Sequence, residues 1–192
     1  MASAVANAAR EVRHGGGLNA RQRQPRPAET FERVFQEHNA FVWRLLARLG
    51  VLRRDVPDTC QEVFLVVHRR LEDFDPQRGS LRSWVSGICV RVASDYRRRH
   101  PSRKEAHLDE RALVASNRPD AELEMQRAWA RLARLLDDMD PEKRQVFVLY
   151  ELEALPMNEV AQILECPLQT AYARLHSARR SVLTAFGGDS QS

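Results

Sequence analysis

Apolar residues recur at steps of three and four along most of the chain, the spacing that places them on one face of an α-helix. The first such segment follows Thr30, a candidate N-cap, and ends at Gly50, a residue type that commonly follows a helix. This segment predicts two short helices or one broken helix. The second segment carries a single stripe that should face the core, formed by Cys60, Phe64, Val67, Leu71 and Phe74.

Turn residues in "FDPQRGS" separate this stripe from a third helical segment, which ends before Pro101. The apolar side of that segment is formed by Trp84, Val85, Ile88, Cys89 and Val92. A fourth helix is marked by Leu123, Ala128, Leu132, Leu135 and Met139. Asp140 and Pro141 then suit the N-cap and first position of a fifth helix. No segment shows the alternation typical of a strand, so the pattern predicts an all-α fold.

A helix-turn-helix pattern occupies the segment from Leu155 to Leu183, with a short helix, a break at "ECP" and a longer helix from Leu168. The residues expected to pack the two helices together are Val160, Ala161, Leu164, Leu168, Ala171, Leu175, Ala178 and Val182. The opposite face of the longer helix carries Gln169, Ala173, His176, Ser177 and Arg180, flanked by Tyr172, Arg174 and Arg179. Such a helix fits the major groove of B-DNA. A helix pair with a solvated basic face has the same pattern and stays open as an alternative.

Composition along the chain predicts two small helical domains. Residues 1–28 are rich in Ala, Arg, Gly, Gln and Pro and predict a disordered tail. Residues 29–100 and 122–187 carry the helical patterns of the two domains, and residues 188–192 form a short tail. The polar stretch 101–121 predicts a flexible linker with a short helix around Asp109 to Val114.

The cations are unevenly placed in a chain whose net charge is +4. One cluster contains Arg97, Arg98, Arg99, Arg103 and Lys104, and another contains Arg174, Arg179 and Arg180. Clustered cations favour a polyanionic partner, although two solvated helix faces would show the same clusters.

The side chains that would carry catalysis or hold a metal are not grouped in this sequence. The three cysteines form no CxxC pair and suit core positions in a reducing cytoplasm. His176 has no second ligand at helical spacing. Asp137, Asp138 and Asp140 lie near no nucleophile or phosphate loop. We therefore expect a cytoplasmic protein with no enzymatic activity, no cofactor and no segment inserted in a membrane.

An acidic group opens the second helical segment, "PDTCQEVFLVVHRR". Asp58 suits an N-cap, Gln61 suits the third position of a capping box, and the helix dipole favours Glu62 near the start. These local effects account for the three residues without any partner.

The order of these motifs resembles the sigma-70 family of bacterial RNA polymerase sigma factors, in its extracytoplasmic-function type. "DTCQEVFLVVHRR", "FDPQRGSLRSWVSGI" and "ASDYRRR" are similar to the stretches of sigma region 2. "PEKRQVFVLYELEALPMNEVAQIL" and "TAYARLHSAR" are similar to those of region 4. The likeness spans residues 30–186, with neither region 1.1 nor region 3 recognisable.

The resemblance implies that region 2 binds the clamp of the polymerase beta-prime subunit and opens the minus-10 element of promoter DNA. Region 4 would read the minus-35 element and touch the beta flap. An anti-sigma protein that clamps the two domains is a further expected partner. The clamp contact falls on Asp58, Gln61 and Glu62, which we call the acidic ledge.

Melting a duplex requires cations for the strand and aromatic surfaces for unstacked bases. The minus-10 candidates are Phe74, Arg82, Trp84, Arg91, Tyr96, Arg97, Arg98 and Arg99. Individual aromatic residues on apolar stripes also suit the core, so the arginines are the stronger candidates. The minus-35 candidates are Gln169, Thr170, Tyr172, Ala173, Arg174, His176, Ser177, Arg179 and Arg180.

Four residues depart from the family pattern. Arg91 stands where Asn is frequent, Glu165 replaces the usual Gly of the break, Pro167 replaces Ser, and Ser177 replaces a basic residue. These departures affect the expected promoter sequence more than the expected activity. Two other functions remain open, a stand-alone helix-turn-helix regulator and a helical regulator that binds no DNA.

Overall fold

The computed structural model describes residues 30–100 and 120–187, with side chains over 30–100 and 128–186. The amino-terminal domain consists of helices α1 Phe31–Arg48, α2 Val56–Arg70 and α3 Leu81–Arg99. The carboxy-terminal domain consists of α4 Asp120–Asp138, α5 Pro141–Phe147, α6 Met157–Ile163 and α7 Leu168–Gly187. Short 3-10 turns cover Arg53–Asp55 and Leu71–Asp73, and a π-helical turn covers Val148–Leu152.

Across these two ranges the structure contains helices and no strand, which confirms the prediction of an all-α, two-domain fold. The predicted tails at residues 1–28 and 188–192 lie outside the described residues. So do most of the predicted linker and its short helix around Asp109 to Val114.

Helix α1 is continuous, so the expected break within the first segment is wrong. Thr30 caps it as predicted, its hydroxyl oxygen accepting from the Arg33 amide at 3.4 Å. Polar Asn39, in the middle of the segment, is accommodated because its side-chain oxygen lies 3.6 Å from the Cys60 thiol of α2. The chain leaves the helix through Gly50, whose φ of +97° is the left-handed conformation that favours glycine.

The amino-terminal core lies between α1, α2 and α3. Cys60, Phe64 and Val67 are buried as the stripe predicts, while Leu71 and Phe74 at its end are half-buried. On α3 the buried apolar residues include Val85, Ile88 and Cys89, and Trp84 and Val92 pack beside them. Burial raises the pKa of the Cys60 and Cys89 thiols, which keeps both protonated at neutral pH.

The carboxy-terminal core joins α5, α6 and α7. Asp140 caps α5 as predicted, accepting from the amides of Glu142 and Lys143 at 3.0 and 3.3 Å. Helix α6 buries Val160 and Ala161, and α7 buries Ala171, Leu175 and Ala178. Leu168, the first residue of α7, was predicted to pack in this interface but is 47% exposed.

The two domains pack directly against each other, with α3 beside α6. A Cβ atom on Gly87 of α3 would lie 3.9 Å from the side chain of Ile163 in α6, so the helices approach closely at this point. Arg144 of α5 reaches the end of α1, where its Nε donates to the Arg48 carbonyl at 2.6 Å. The buried residues of both domains therefore form one cluster.

We expect Ala154→Gly to stabilise the protein by about 1 kcal/mol, because Ala154 has a φ of +55° and a Cβ is unfavourable in that conformation. Ala154 is exposed, so the substitution removes no packing. The matched control is Ala40→Gly at an exposed position inside α1, which should cost about 1 kcal/mol. Urea denaturation measures both, and a destabilised Ala154→Gly protein would contradict the expectation.

Candidate nucleic-acid and protein interfaces

The acidic ledge lies on one face of α2, where Asp58, Gln61 and Glu62 are all exposed. Leu65, one turn further along the helix, is 49% exposed beside Glu62. Leu65 was not predicted to be part of this surface, although its position off the buried stripe was the available signal. The ledge and Leu65 together present two carboxylates and one apolar side chain, a composition suited to a protein partner.

The predicted capping box at this helix is wrong. Helix α2 begins at Val56 with Asp55 in the N-cap position, so Asp58 lies inside the first turn. Asp55 does not cap through its side chain, because its carboxylate accepts instead from the Tyr96 hydroxyl at 2.5 Å. Asp58 retains a favourable position in the field of the helix dipole, as an acid near the amino end.

The aromatic minus-10 candidates lie in or beside the core. Tyr96 is 3% exposed, and burial together with the Asp55 hydrogen bond raises its pKa to about 12. Its ring is enclosed by the domain, so the expectation that it presents a stacking surface is not met in this arrangement. Phe74 and Trp84 are half-buried and contact each other with ring centroids 5.7 Å apart.

Two arginine candidates of α3 bind acids of the carboxy-terminal domain. Arg82 donates to Glu153 at 2.8 Å and lies over the Phe41 ring at 4.2 Å. Arg91 donates to Glu165 at 2.7 Å. The sequence offered no signal for either pair, since the partners are 71 and 74 residues apart.

The arginines at the end of α3 bind within the amino-terminal domain. Arg97 donates to the Leu49 carbonyl at 3.1 Å and to Ser94 at 3.2 Å. Arg98 is paired with Asp95 at 2.5 Å, and both of these side chains are exposed. Arg99 donates to Glu62 of the acidic ledge at 3.1 Å, so the ledge and the arginine run adjoin each other.

Helix α7 presents the predicted outward face. Its exposed residues include Gln169, Tyr172, Ala173, His176, Arg179 and Arg180, while Thr170, Arg174 and Ser177 are half-buried. Two of the arginines are anchored inside the domain, Arg174 by Glu142 and Arg179 by Glu151 at 2.5 Å. These pairs fix the direction of the guanidinium groups at the edge of the helix face.

The break between α6 and α7 has a residue with a positive φ at the position where the sequence resemblance implies a glycine. Glu165, which stands at that position, has a φ of +51°, a conformation that glycine adopts without strain. The Glu165 carboxylate binds Arg91 across the domain contact, which gives the glutamate a role that glycine could not fill.

Several interface residues were not singled out in the sequence. Glu153 lies between apolar Leu152 and Ala154 and is 5% exposed, which is unusual for a carboxylate. It also accepts from Arg48 at 2.5 Å. Arg144 is 3% exposed and binds Asp137 at 3.0 Å. Within the described residues no three His, Cys, Asp or Glu side chains could jointly hold a metal ion.

Among the residues that the structure describes, no helix is both long and apolar enough to cross a membrane.

Comparison with protein families matches "Sigma-70 region 2" to residues 34–103 and "Sigma-70, region 4" to residues 129–182. Together these two matches cover more than half of the chain. The chain belongs to the sigma-70 family of RNA polymerase sigma factors.

Its similar relatives are named as factors of the extracytoplasmic-function (ECF) type. The ECF RNA polymerase sigma factor SigE of Mycolicibacterium smegmatis is 30% identical over 156 residues, which are 80% of this chain and 60% of that protein. The ECF RNA polymerase sigma-E factor of Escherichia coli K12 is 28% identical over 140 residues, 67% and 72% of the two chains. The ECF RNA polymerase sigma-E factor of Haemophilus influenzae is 27% identical over 164 residues, which are 80% of this chain and 86% of that protein.

Solved structures with a similar fold include CnrH in complex with the cytosolic domain of CnrY. It matches with a TM-score of 0.60 and 25% identity, over 83% of this chain and 89% of CnrH. The sigma factor RpoE of Bartonella quintana, solved with the anti-sigma factor NepR, also has a TM-score of 0.60. The match covers 83% of this chain and 98% of RpoE. The sequence identity is 14%, so this likeness concerns the fold alone.

Proposed function

We propose that the chain is a sigma factor that binds core RNA polymerase and directs transcription initiation at promoters with its own minus-10 and minus-35 elements. The observation that carries the proposal is the arrangement of three surfaces in the order of the family. An exposed acidic ledge lies on α2, an arginine-rich face on α3, and an outward face with basic edges on α7. The protein would act in the cytoplasm and have no enzymatic activity of its own.

The acidic ledge would bind the beta-prime clamp. Three exposed polar or acidic side chains on one face suit basic residues of a partner, because complementary charge guides docking and fixes the register of the two proteins. Leu65 would add apolar contact at the edge of that surface. Residues 29–100 would thus form the domain that attaches the chain to the polymerase.

The arginines of α3 would hold the minus-10 strand. Each arginine on a phosphate releases counterions, so binding should weaken steeply as salt rises. Stacking of an unpaired base contributes about 1–3 kcal/mol. Phe74 and Trp84 have part of their surface exposed and are better placed for this role than buried Tyr96.

The outer face of α7 would enter the major groove at the minus-35 element, with residues 122–187 as the reading domain. Gln169 and Tyr172 lie in its first turns, where a recognition helix contacts base edges, and Arg179 and Arg180 lie further along for phosphates. The same domain would touch the beta flap. CnrH was solved with a protein partner, the cytosolic domain of CnrY. We also propose a protein partner for this chain, the anti-sigma protein that the sequence resemblance implies.

Reconstitution with core polymerase tests the function. With the chain added, a library of genomic DNA fragments should yield transcripts from a discrete set of start sites that share two upstream elements. Core polymerase alone is the control. Failure to obtain a transcript that depends on the chain would contradict the proposal. Tight, sequence-specific duplex binding by the free chain would instead favour a stand-alone helix-turn-helix regulator.

A further inference from the structure

A cavity of about 630 Å³ lies between the second half of α3 and the carboxy-terminal domain. Its α3 wall carries Arg91, Arg97 and Arg98, and its other wall comes from α5 and from the end of α6 with the turn that follows. Cavities that bind small ligands measure roughly 300–1,000 Å³. The cavity therefore has the volume of a small-ligand site, and one of its walls is rich in cations.

Apolar side chains from both domains also line this cavity. Val90 lines it from α3, and Ile163 and Leu164 line it from the end of α6. Val90 is 6% exposed, and the other two are half-buried against the core, so the apolar lining is held in place. Apolar groups beside cations suit a ligand that has a flat apolar body and an anionic end.

Hydrogen bonds across the cavity fix polar groups of both domains. Gln145 of α5 donates to the Ser94 hydroxyl of α3 at 3.0 Å, and Arg97 donates to the same hydroxyl at 3.2 Å. Because this hydroxyl accepts both bonds, its own hydrogen can be donated to an oxygen of a ligand. The cavity thus offers a neutral donor beside its arginines.

Two of the cavity's arginines are paired with carboxylates that a phosphate can replace. Arg91 binds Glu165 at 2.7 Å, with the two side chains 61% and 71% exposed, and Arg98 binds Asp95 at 2.5 Å, with 78% and 56% exposed. Exposed pairs of this kind are weak because water screens them. A polyphosphate carries more charge and more acceptor oxygens than one carboxylate, so it competes well for a guanidinium. With Arg97 included, three guanidinium groups against two carboxylates leave a positive cavity.

The spacing of these arginines favours an extended ligand. Arg91 and Arg98 are seven residues apart on α3, which is two helical turns or about 10 Å along the axis. A ligand extended along the helix meets both arginines, whereas a single phosphate lies near one of them. Two or three linked phosphates joined to a nucleoside have this length, and the base supplies the flat apolar body.

We propose that this cavity is a binding site for a nucleoside polyphosphate, with the phosphates on Arg91 and Arg98 and the base against the apolar lining. The ligand would contact both domains and would therefore stabilise the contact between them. The site itself rests on the cavity and its side chains. Only one consequence rests on the proposed function, namely that the ligand would compete with a DNA strand for the same arginines.

Isothermal titration calorimetry of the full chain with ATP and with GTP tests the proposal. Tripolyphosphate, which lacks the base, and adenosine, which lacks the phosphates, are the comparison ligands. At least one nucleotide should bind in a saturable one-to-one manner, and both comparison ligands should bind at least about tenfold more weakly. Arg91→Gln and Arg98→Gln should each weaken nucleotide binding about tenfold, because each removes a charge-assisted hydrogen bond. Arg134→Gln, at an exposed position of α4 that does not line the cavity, should change the affinity less than about twofold.

Photolabelling with the 8-azido analogue of the bound nucleotide locates the site, and mass spectrometry should find the label within residues 90–100, 141–145 or 163–165. Absence of nucleotide binding would overturn the proposal, and so would label elsewhere, equal affinity for tripolyphosphate and the nucleotide, or an equal loss in all three variants. Both cavity arginines that are replaced have exposed side chains, so their variants should fold, and thermal melting checks this. These measurements need neither polymerase nor DNA, so their failure is distinct from a failed reconstitution.

Discussion

Glu62→Lys should weaken binding of the chain to core polymerase by about a hundredfold, equivalent to about 3 kcal/mol, while the chain still folds. The substitution places a cation where the proposed clamp contact requires an anion, so attraction becomes repulsion. Folding should be preserved because the Glu62 side chain is 47% exposed and its pair with Arg99 is a surface pair. Such pairs contribute at most about 1 kcal/mol.

A matched control for this variant is Glu72→Lys, which makes the same charge change at an exposed position beyond the end of α2. Fluorescence anisotropy with labelled core polymerase measures both affinities, and thermal melting checks the fold. Equal affinity for the two variants would remove the ledge from the proposed polymerase contact. The acids of α2 would then have a local role, in the field of the helix dipole.

Arg144→Met should lower the free energy of unfolding by about 3 kcal/mol. The Arg144 guanidinium donates to the Arg48 carbonyl at 2.6 Å and to Asp137 at 3.0 Å, and its side chain is 4% exposed. Methionine fills similar space but leaves the Asp137 carboxylate, itself 13% exposed, without this cation. It also removes the donor that the Arg144 Nε supplies to the Arg48 carbonyl at the end of α1.

Lys143→Met is the control for this substitution, because it removes a neighbouring cation from the same helix at a half-buried position. Urea denaturation followed by circular dichroism compares the two variants with the parent chain. The control should change the free energy of unfolding by less than about 1 kcal/mol. A loss of similar size in both variants would mean that Arg144 has no special part in joining the domains.

Helical periodicity predicted the fold wherever burial alone decides a position. Cys60, Phe64 and Val67 lie in the core as their spacing requires, and Asp140 caps its helix as its neighbour Pro141 indicates. The prediction from periodicity was wrong where a specific tertiary contact determines the local structure. The first segment was predicted to form two short helices or one broken helix, but α1 is continuous, and polar Asn39 in its middle contacts the Cys60 thiol of α2.

The candidate site was predictable in its surfaces but not in its pairings. Exposure of the acidic ledge and of the outer face of α7 follows from their positions opposite the apolar stripes. The partners of Arg82 and Glu153 depend on how two domains meet, and local spacing carries no information about contacts between residues 71 positions apart. Tyr96 shows a further limit, because its polar hydroxyl is compatible with burial once the Asp55 carboxylate accepts its hydrogen bond.

The contact between Arg144 and the end of α1 means that one domain supplies the hydrogen-bond donors that finish a helix of the other. A Cβ atom at Gly50 would lie 2.9 Å from an Arg144 nitrogen, so the guanidinium rests directly on this turn. The backbone amides of Leu49 and Gly50 bond to carbonyls of the last turn of α1 and are thus sheltered by the neighbouring domain. The rate at which these amides exchange with deuterated solvent therefore reports how often the two domains separate, and its measurement requires no attached label.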